Sequence, residues 1–186
     1  MKSSIWILVG VLFYSNFSQA LISEVGLNYG YQKKTFNPTN YYQSDSKSAS
    51  LSLYFLERFA LELNYTDSFY ESQESDTYST RVTQQSSKIS GADLIYVLTE
   101  KTAMIQPYVK GGTAYIVKKK QIRYANADTI DIQTKDGFAP SYGAGVKFKL
   151  NERFSFKVSY DIWQTPLDDG TSSDDNSLKV GLSMYL

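Results

Sequence analysis

The feature that most constrains this chain is a strict two-residue alternation of apolar and polar side chains that recurs eight times. In the first segment Val25, Leu27, Tyr29 and Tyr31 alternate with Glu24, Gly26, Asn28, Gly30 and Gln32. The same beat runs through residues 48–55, 59–66, 91–98, 106–115, 141–150, 154–162 and 178–186. Successive side chains of a strand point to opposite faces, so each segment presents one apolar and one polar face. The apolar face carries no charge in any segment. The polar face carries Glu24, Glu62, Asp93, Lys110, Lys147, Lys149, Lys157, Asp161 and Lys179, five basic groups against four acidic. Ile95 and Val97 blur the fourth segment, and Gly111 and Thr113 dilute the fifth.

The connections alternate as well. Glu57-Arg58, Thr99 to Thr102 and Asn151 to Arg153 are tight joins, whereas residues 33–46, 67–87, 117–138 and 164–176 read as long polar loops. Short turns at one end, long loops at the other and an even number of segments about 9–11 residues long is the plan of a barrel whose tilted strands cross a bilayer. A weak internal repeat, Glu57 to Tyr65 against Glu152 to Tyr160, reflects shared hairpin physics: a charged turn, a Phe, an apolar band and a Tyr.

Alternation alone does not say which face is inside. A soluble barrel or sandwich buries the apolar face; a membrane barrel turns it to lipid and encloses the charges. Four features favour the membrane. The polar face is rich in small residues (Gly26, Gly30, Gly143, Gly145, Gly181, Ser48, Ser50, Ser52), which a narrow eight-stranded lumen requires. The aromatics sort by height, with Tyr29, Tyr31, Tyr65, Tyr115, Tyr142 and Tyr160 at loop ends and Phe55, Phe59, Phe148 and Phe154 at turn ends; Tyr96 is the exception. The last segment alternates up to Leu186. Finally, residues 1–20 read as a cleavable secretory signal, with Lys2, an apolar run from Ile5 to Phe13 too short to span a bilayer, and a small-x-small site at Ser18-Gln19-Ala20. Residues 21–186, about 166 of the 186, then form one barrel domain. The negative mean hydropathy of −0.34 comes from loops and lumen.

With this pattern established, the chain resembles the small eight-stranded outer-membrane barrels typified by the OmpA transmembrane domain and OmpX. The stretch Pro107-Tyr108-Val109-Lys110-Gly111-Gly112 is similar to a Pro-Tyr-Val-Gly-x-Gly run common there. The final strand resembles the signal read by the barrel-assembly machinery, with Leu186 where Phe is usual. The resemblance implies an all-β, antiparallel, up-and-down transmembrane β-barrel of eight strands in a Gram-negative outer membrane. It also implies periplasmic termini, extracellular loops, a porin-like architecture, and roles that range from adhesion and envelope stability to lipid modification.

Composition narrows the chemistry. The chain contains no Cys and no His, which removes disulfides, thiolate metal sites and histidine bases. A serine nucleophile in the Ser-rich stretches 44–52 and 68–90 would lack an ordinary base, so no enzyme, catalytic residue or cofactor is expected. Nineteen basic and nineteen acidic residues leave no basic excess for nucleic acid. The lumenal charges are expected to pair and plug the barrel; the competing reading is a narrow path for ions or small solutes. Asp168, Asp169, Asp174 and Asp175 are weak candidates for a divalent cation, against a solvated acidic loop. Lys118-Lys119-Lys120 either meets lipid phosphates or extends a hairpin above the membrane. The expected partners are outer-membrane lipid and lipopolysaccharide, the assembly machinery and an extracellular ligand at the loops, with the barrel a monomer.

Overall fold

The computed structural model describes residues 22–75, 79–124, 129–132, 136–166 and 172–186. The expected signal, residues 1–20, lies outside them. The described residues form nine strands and no helix: β1 (Ile22–Asn37), β2 (Asn40–Tyr54), β3 (Phe59–Ser75), β4 (Thr80–Val97), β5 (Ile105–Tyr124), β6 (Ile130–Ile132), β7 (Gly137–Lys149), β8 (Phe154–Pro166) and β9 (Ser172–Tyr185). Every pairing is antiparallel. Eight strands close a ring, because β1 pairs with both β2 and β9 while β4 pairs with β5 and β5 with β7. The ninth, β6, is a three-residue addition to the expected eight; it pairs with Lys120 to Ile122, beyond the end of the β5–β7 ladder at Ile116–Gly137.

The outward face is the apolar one. Leu27 is 65% exposed and Leu182 56%, while Lys147 is 0% and Glu62 1% exposed. Such a continuous exposed apolar band, wrapped round buried charges, is stable only against lipid. Phe59 and Tyr96 stack at 4.7 Å between ring centroids, so Tyr96 joins the turn-side belt of phenylalanines. On the other side Phe138 meets Tyr115 at 5.1 Å.

The tight joins stand where the sequence places them. In one, the Asn151 side-chain oxygen accepts from the backbone N–H groups of Arg153 and Phe154, each at 2.8 Å, and fixes the turn into β8. The long polar stretches are a correction. Residues 33–46 are not a loop: β1 and β2 pair up to a turn at Pro38-Thr39, where Asn37 Oδ1 accepts from Asn40 N at 2.7 Å. Residues 67–75 and 80–88 pair in register, as do 81–88 with 117–124. The 20 residues of β5 span about 66 Å, roughly twice what a tilted strand needs to cross a bilayer. Beyond the Tyr belt both faces of these strands are wet. Their side chains are polar on both sides, the alternation disappears, and they read as loop although Tyr, Thr and Gln pack readily on a pleated surface.

Candidate functional site: a layered barrel interior

Small residues let the interior fill. Tyr108 lies directly opposite Gly145 in the β5–β7 ladder, and a Cβ on Gly145 would stand 2.5 Å from the Tyr108 hydroxyl and 2.5 Å from the Val158 carbonyl oxygen. Only glycine leaves that space for the ring. The ring belongs to a first layer, near the tight turns, formed by Tyr54, Ala60, Ile95, Val97 and Tyr108 with Ile22 and Tyr185 packed against it.

A layer of charges lies on the Tyr belt side of that cluster, and it falls into two linked groups. Lys147 Nζ donates to Glu24 Oε2 at 2.5 Å and to the Tyr54 hydroxyl at 2.6 Å, while the Tyr54 hydroxyl donates to Glu24 at 2.7 Å. Glu62 is shared by Lys157 (2.9 Å) and Lys110 (3.0 Å). Lys110 also reaches Asp161 at 3.0 Å and Asp93 at 3.5 Å, and Asp161 meets Lys179 at 3.1 Å. Asp93 further accepts from Asn64 at 2.8 Å and from the Ser141 hydroxyl. The groups join through Tyr108, whose ring has Lys147 at 5.5 Å and Lys157 at 5.2 Å. Taking charges out of water is expensive, and this arrangement offsets it by giving each carboxylate at least one ammonium and each ammonium at least one carboxylate.

Eight of the nine charges singled out from the sequence thus meet, four acidic and four basic. Lys149 is the exception. Near the end of β7 it donates instead to the Lys101 carbonyl at 2.9 Å and closes a turn. The Lys101 ammonium is held below its ordinary pKa by partial burial and by the positive charge of Lys149. Removing Lys149 from the set turns five against four into exact neutrality.

Above the charges lies a second apolar layer of Ile89, Ala114, Ile116, Ala139 and Trp163, with Lys179 Nζ 4.8 Å from the centre of the Trp163 ring. Both apolar layers were missed as site residues. The signal was present, since Tyr54, Ile95, Val97 and Tyr108 sit at inward parity, and Ile89, Ile116 and Trp163 continue that parity just beyond the alternating segments.

Over this second layer the interior opens into a cavity of about 400 Å³. Tyr42 and Tyr70 meet edge to face in its wall at 5.0 Å, and β9 contributes Asp174 to Ser177. The β1–β9 ladder stops at Tyr29–Val180. Above it Ser46 and Ser177, whose hydroxyls lie 3.1 Å apart, bridge the wall, while an ion pair between Lys118 and Asp175 links β5 to β9. The basic run at 118–120 is therefore strand rather than loop: Lys118 and Lys120 point inward and Lys119 outward. Asp168 and Asp169 lie outside the described residues; among those described, no three carboxylates gather where a metal ion could be held.

The family profile of the outer membrane protein beta-barrel domain matches residues 4–185, nearly the whole chain. The chain belongs to this family. Solved structures agree with the barrel's architecture. Neisserial surface protein A is 11% identical, covers 89% of this chain and 97% of its own, and superposes with a TM-score of 0.59. OprG from Pseudomonas aeruginosa is 12% identical over 89% of this barrel and 95% of its own chain, with a TM-score of 0.60. Ail from Yersinia pestis, solved with the heparin analogue sucrose octasulfate, is 14% identical over 89% and 99%, with a TM-score of 0.54. At these identities the likeness is one of fold. No curated protein matches the sequence. The family places this barrel in the outer membrane.

Proposed function

We propose that this outer-membrane barrel is a sealed scaffold that holds rigid β-walls above the bilayer for structural or adhesive contact at the cell surface, and that it is not an enzyme. The observation that carries the reading is the three-layer lumen, in which the paired charges lie between two apolar layers. An ion entering from either side meets a layer of buried side chains before it reaches the central charges, and those charges are already paired. The lumenal network then acts as a structural plug, with Lys149 serving the turn.

In this reading residues 1–20 are a signal, residues 21–186 the monomeric barrel, both termini are periplasmic and β9 engages the assembly machinery. Lipopolysaccharide is the first partner. Just beyond the Tyr belt, Lys47 and Lys88 point outward and are exposed on either side of Asp67, their neighbour in the ladders. Cations at that height face the phosphates of the headgroup layer. The projecting strands then reach past it to an extracellular ligand.

Planar-bilayer recording with the purified barrel tests the plug. The expected result is an unchanged baseline current. Stable, discrete single-channel openings would replace this reading with that of a narrow path for ions or small solutes.

A further inference from the structure

We infer that the 400 Å³ cavity in the outer mouth of the barrel is a binding site for a neutral sugar, either a free disaccharide or the terminal residues of a glycan chain. The inference rests on the surface-contact reading only in placing the cavity on the outer side of the membrane. Its volume falls within the usual range for small-molecule sites. Its lining then decides the chemistry.

The wall is dominated by hydroxyl and amide groups. Ser68, Ser72, Thr83 and Asn176 line the cavity, and their side chains have no hydrogen-bond partner among the described residues. Each hydroxyl offers one donor and two acceptor positions, and the amide offers both kinds, which is the complement of a polyol. These four come from β3, β4 and β9, so they converge on the cavity from separate sides of the ring. The Tyr42–Tyr70 pair supplies an aromatic edge and face of the type that packs on the C–H side of a pyranose.

Other ligand classes fit less well. The charges of the lining balance, because Arg81 pairs with Glu74 at 2.8 Å, Asp175 pairs with Lys118, and Lys120 and Asp174 add one charge of each sign. Little net field remains to select a phosphate, a sulfate or a metal cation. An apolar ligand would find only Ile89 and Trp163 at the floor, both almost fully buried beneath the hydroxyl-lined wall. A peptide strand would find free edges on β1 and β9 above Tyr29–Val180, where the Ser46 and Ser177 hydroxyls already span the gap, whereas β2, β3 and β4 are paired on both sides at the height of the cavity.

Trp163 reports on the site. The chain contains two tryptophans, Trp6 and Trp163, so Trp6→Phe leaves Trp163 as the one tryptophan, at the cavity floor. The full chain carrying that change is purified in detergent, its fold checked by heat-modifiable migration in SDS, and titrated with maltose, cellobiose, lactose and diacetylchitobiose. Saturable change in Trp163 emission is expected with at least one of them at millimolar half-saturation. Sucrose octasulfate should compete poorly. Thr83→Val and Ser68→Ala each remove one hydroxyl and should weaken binding about 5-fold while migration in SDS is unchanged. A linear, unsaturable response to all four disaccharides from the folded barrel overturns the site. So does saturation that both variants leave untouched. A polysaccharide built of the best disaccharide separates the two sources: tighter binding than the free sugar assigns the cavity to a glycan end, equal binding to free sugar. Saturation in detergent with no binding of the labelled sugar to the surface of intact cells supports the site and overturns the surface-contact reading instead.

Discussion

The lower and upper halves of this barrel interior are built from the same strands at the same parity, yet they obey opposite rules. Between the tight turns and Trp163 every inward position is filled, and charges such as Lys157 and Glu62 are buried and paired. Above Trp163 the inward positions are polar, with hydroxyls the commonest group, around open space. In the lower half a buried charge without its partner is penalised by desolvation, and the charged side chains satisfy one another. In the upper half the side chains are open to solvent, and the walls are held by ladder hydrogen bonds with a few side-chain links such as Ser46–Ser177. One fold thus contains a rigid, sealed segment and a wet segment free to vary.

The sharpest way to break this contrast is to remove a shared charge below. Glu62→Leu leaves Lys110 and Lys157 facing each other's charge, with only Lys110 keeping other carboxylates, and is expected to destabilise the barrel by about 3–5 kcal/mol. The measurement is urea unfolding in detergent followed by Trp163 fluorescence. An unchanged midpoint would mean that the network is hydrated and the lower half is not sealed. A smaller effect comes from sterics in the same half. Gly145→Ala forces the Tyr108 ring off its place and should cost about 1–3 kcal/mol, read as a lower temperature for loss of the compact SDS-resistant form. The smallest effect belongs above. Ser72→Ala in the cavity wall should fall within about 0.5 kcal/mol of the parent in the same urea titration. A loss as large as that of Glu62→Leu would erase the distinction between the halves.

How much of this was legible in the sequence follows the same division. In the membrane, lipid on one side and a lumen on the other impose alternation, and the eight bilayer-crossing strands, the outward Leu and Val band and the two aromatic belts could be read from it. The join at Asn151 to Arg153 was legible because an Asx turn is a local device. Above the membrane the environment is the same on both faces, so the sequence carried no beat. Residues 33–46 read as loop although all of them except Phe36 and the turn at Pro38-Thr39 stand in a ladder. β6 was illegible for another reason: three residues are too few to show a period.

The candidate site shows the limit more closely. Parity named the charges that point inward but not which of them would meet. Lys149 and Lys147 share a strand, a face and a side-chain type, yet Lys147 is enclosed against Glu24 and Lys149 turns to the Lys101 carbonyl. The difference is two residues of height in the barrel, which the sequence does not print. Parity also pointed Tyr54, Ile95 and Tyr108 inward, and their role as an apolar layer follows only from their being at one level of the ring.

The sequence by itself therefore determined the inside and outside of this protein, because the pleat of a strand is local and its period of two is written residue by residue. The tertiary structure decided what meets what across the lumen. Glu62 and Lys157 are 95 positions apart, and Glu24 and Lys147 are 123 apart. Their contact depends on the stagger with which eight strands close into a ring, a property of the whole barrel that no single segment carries.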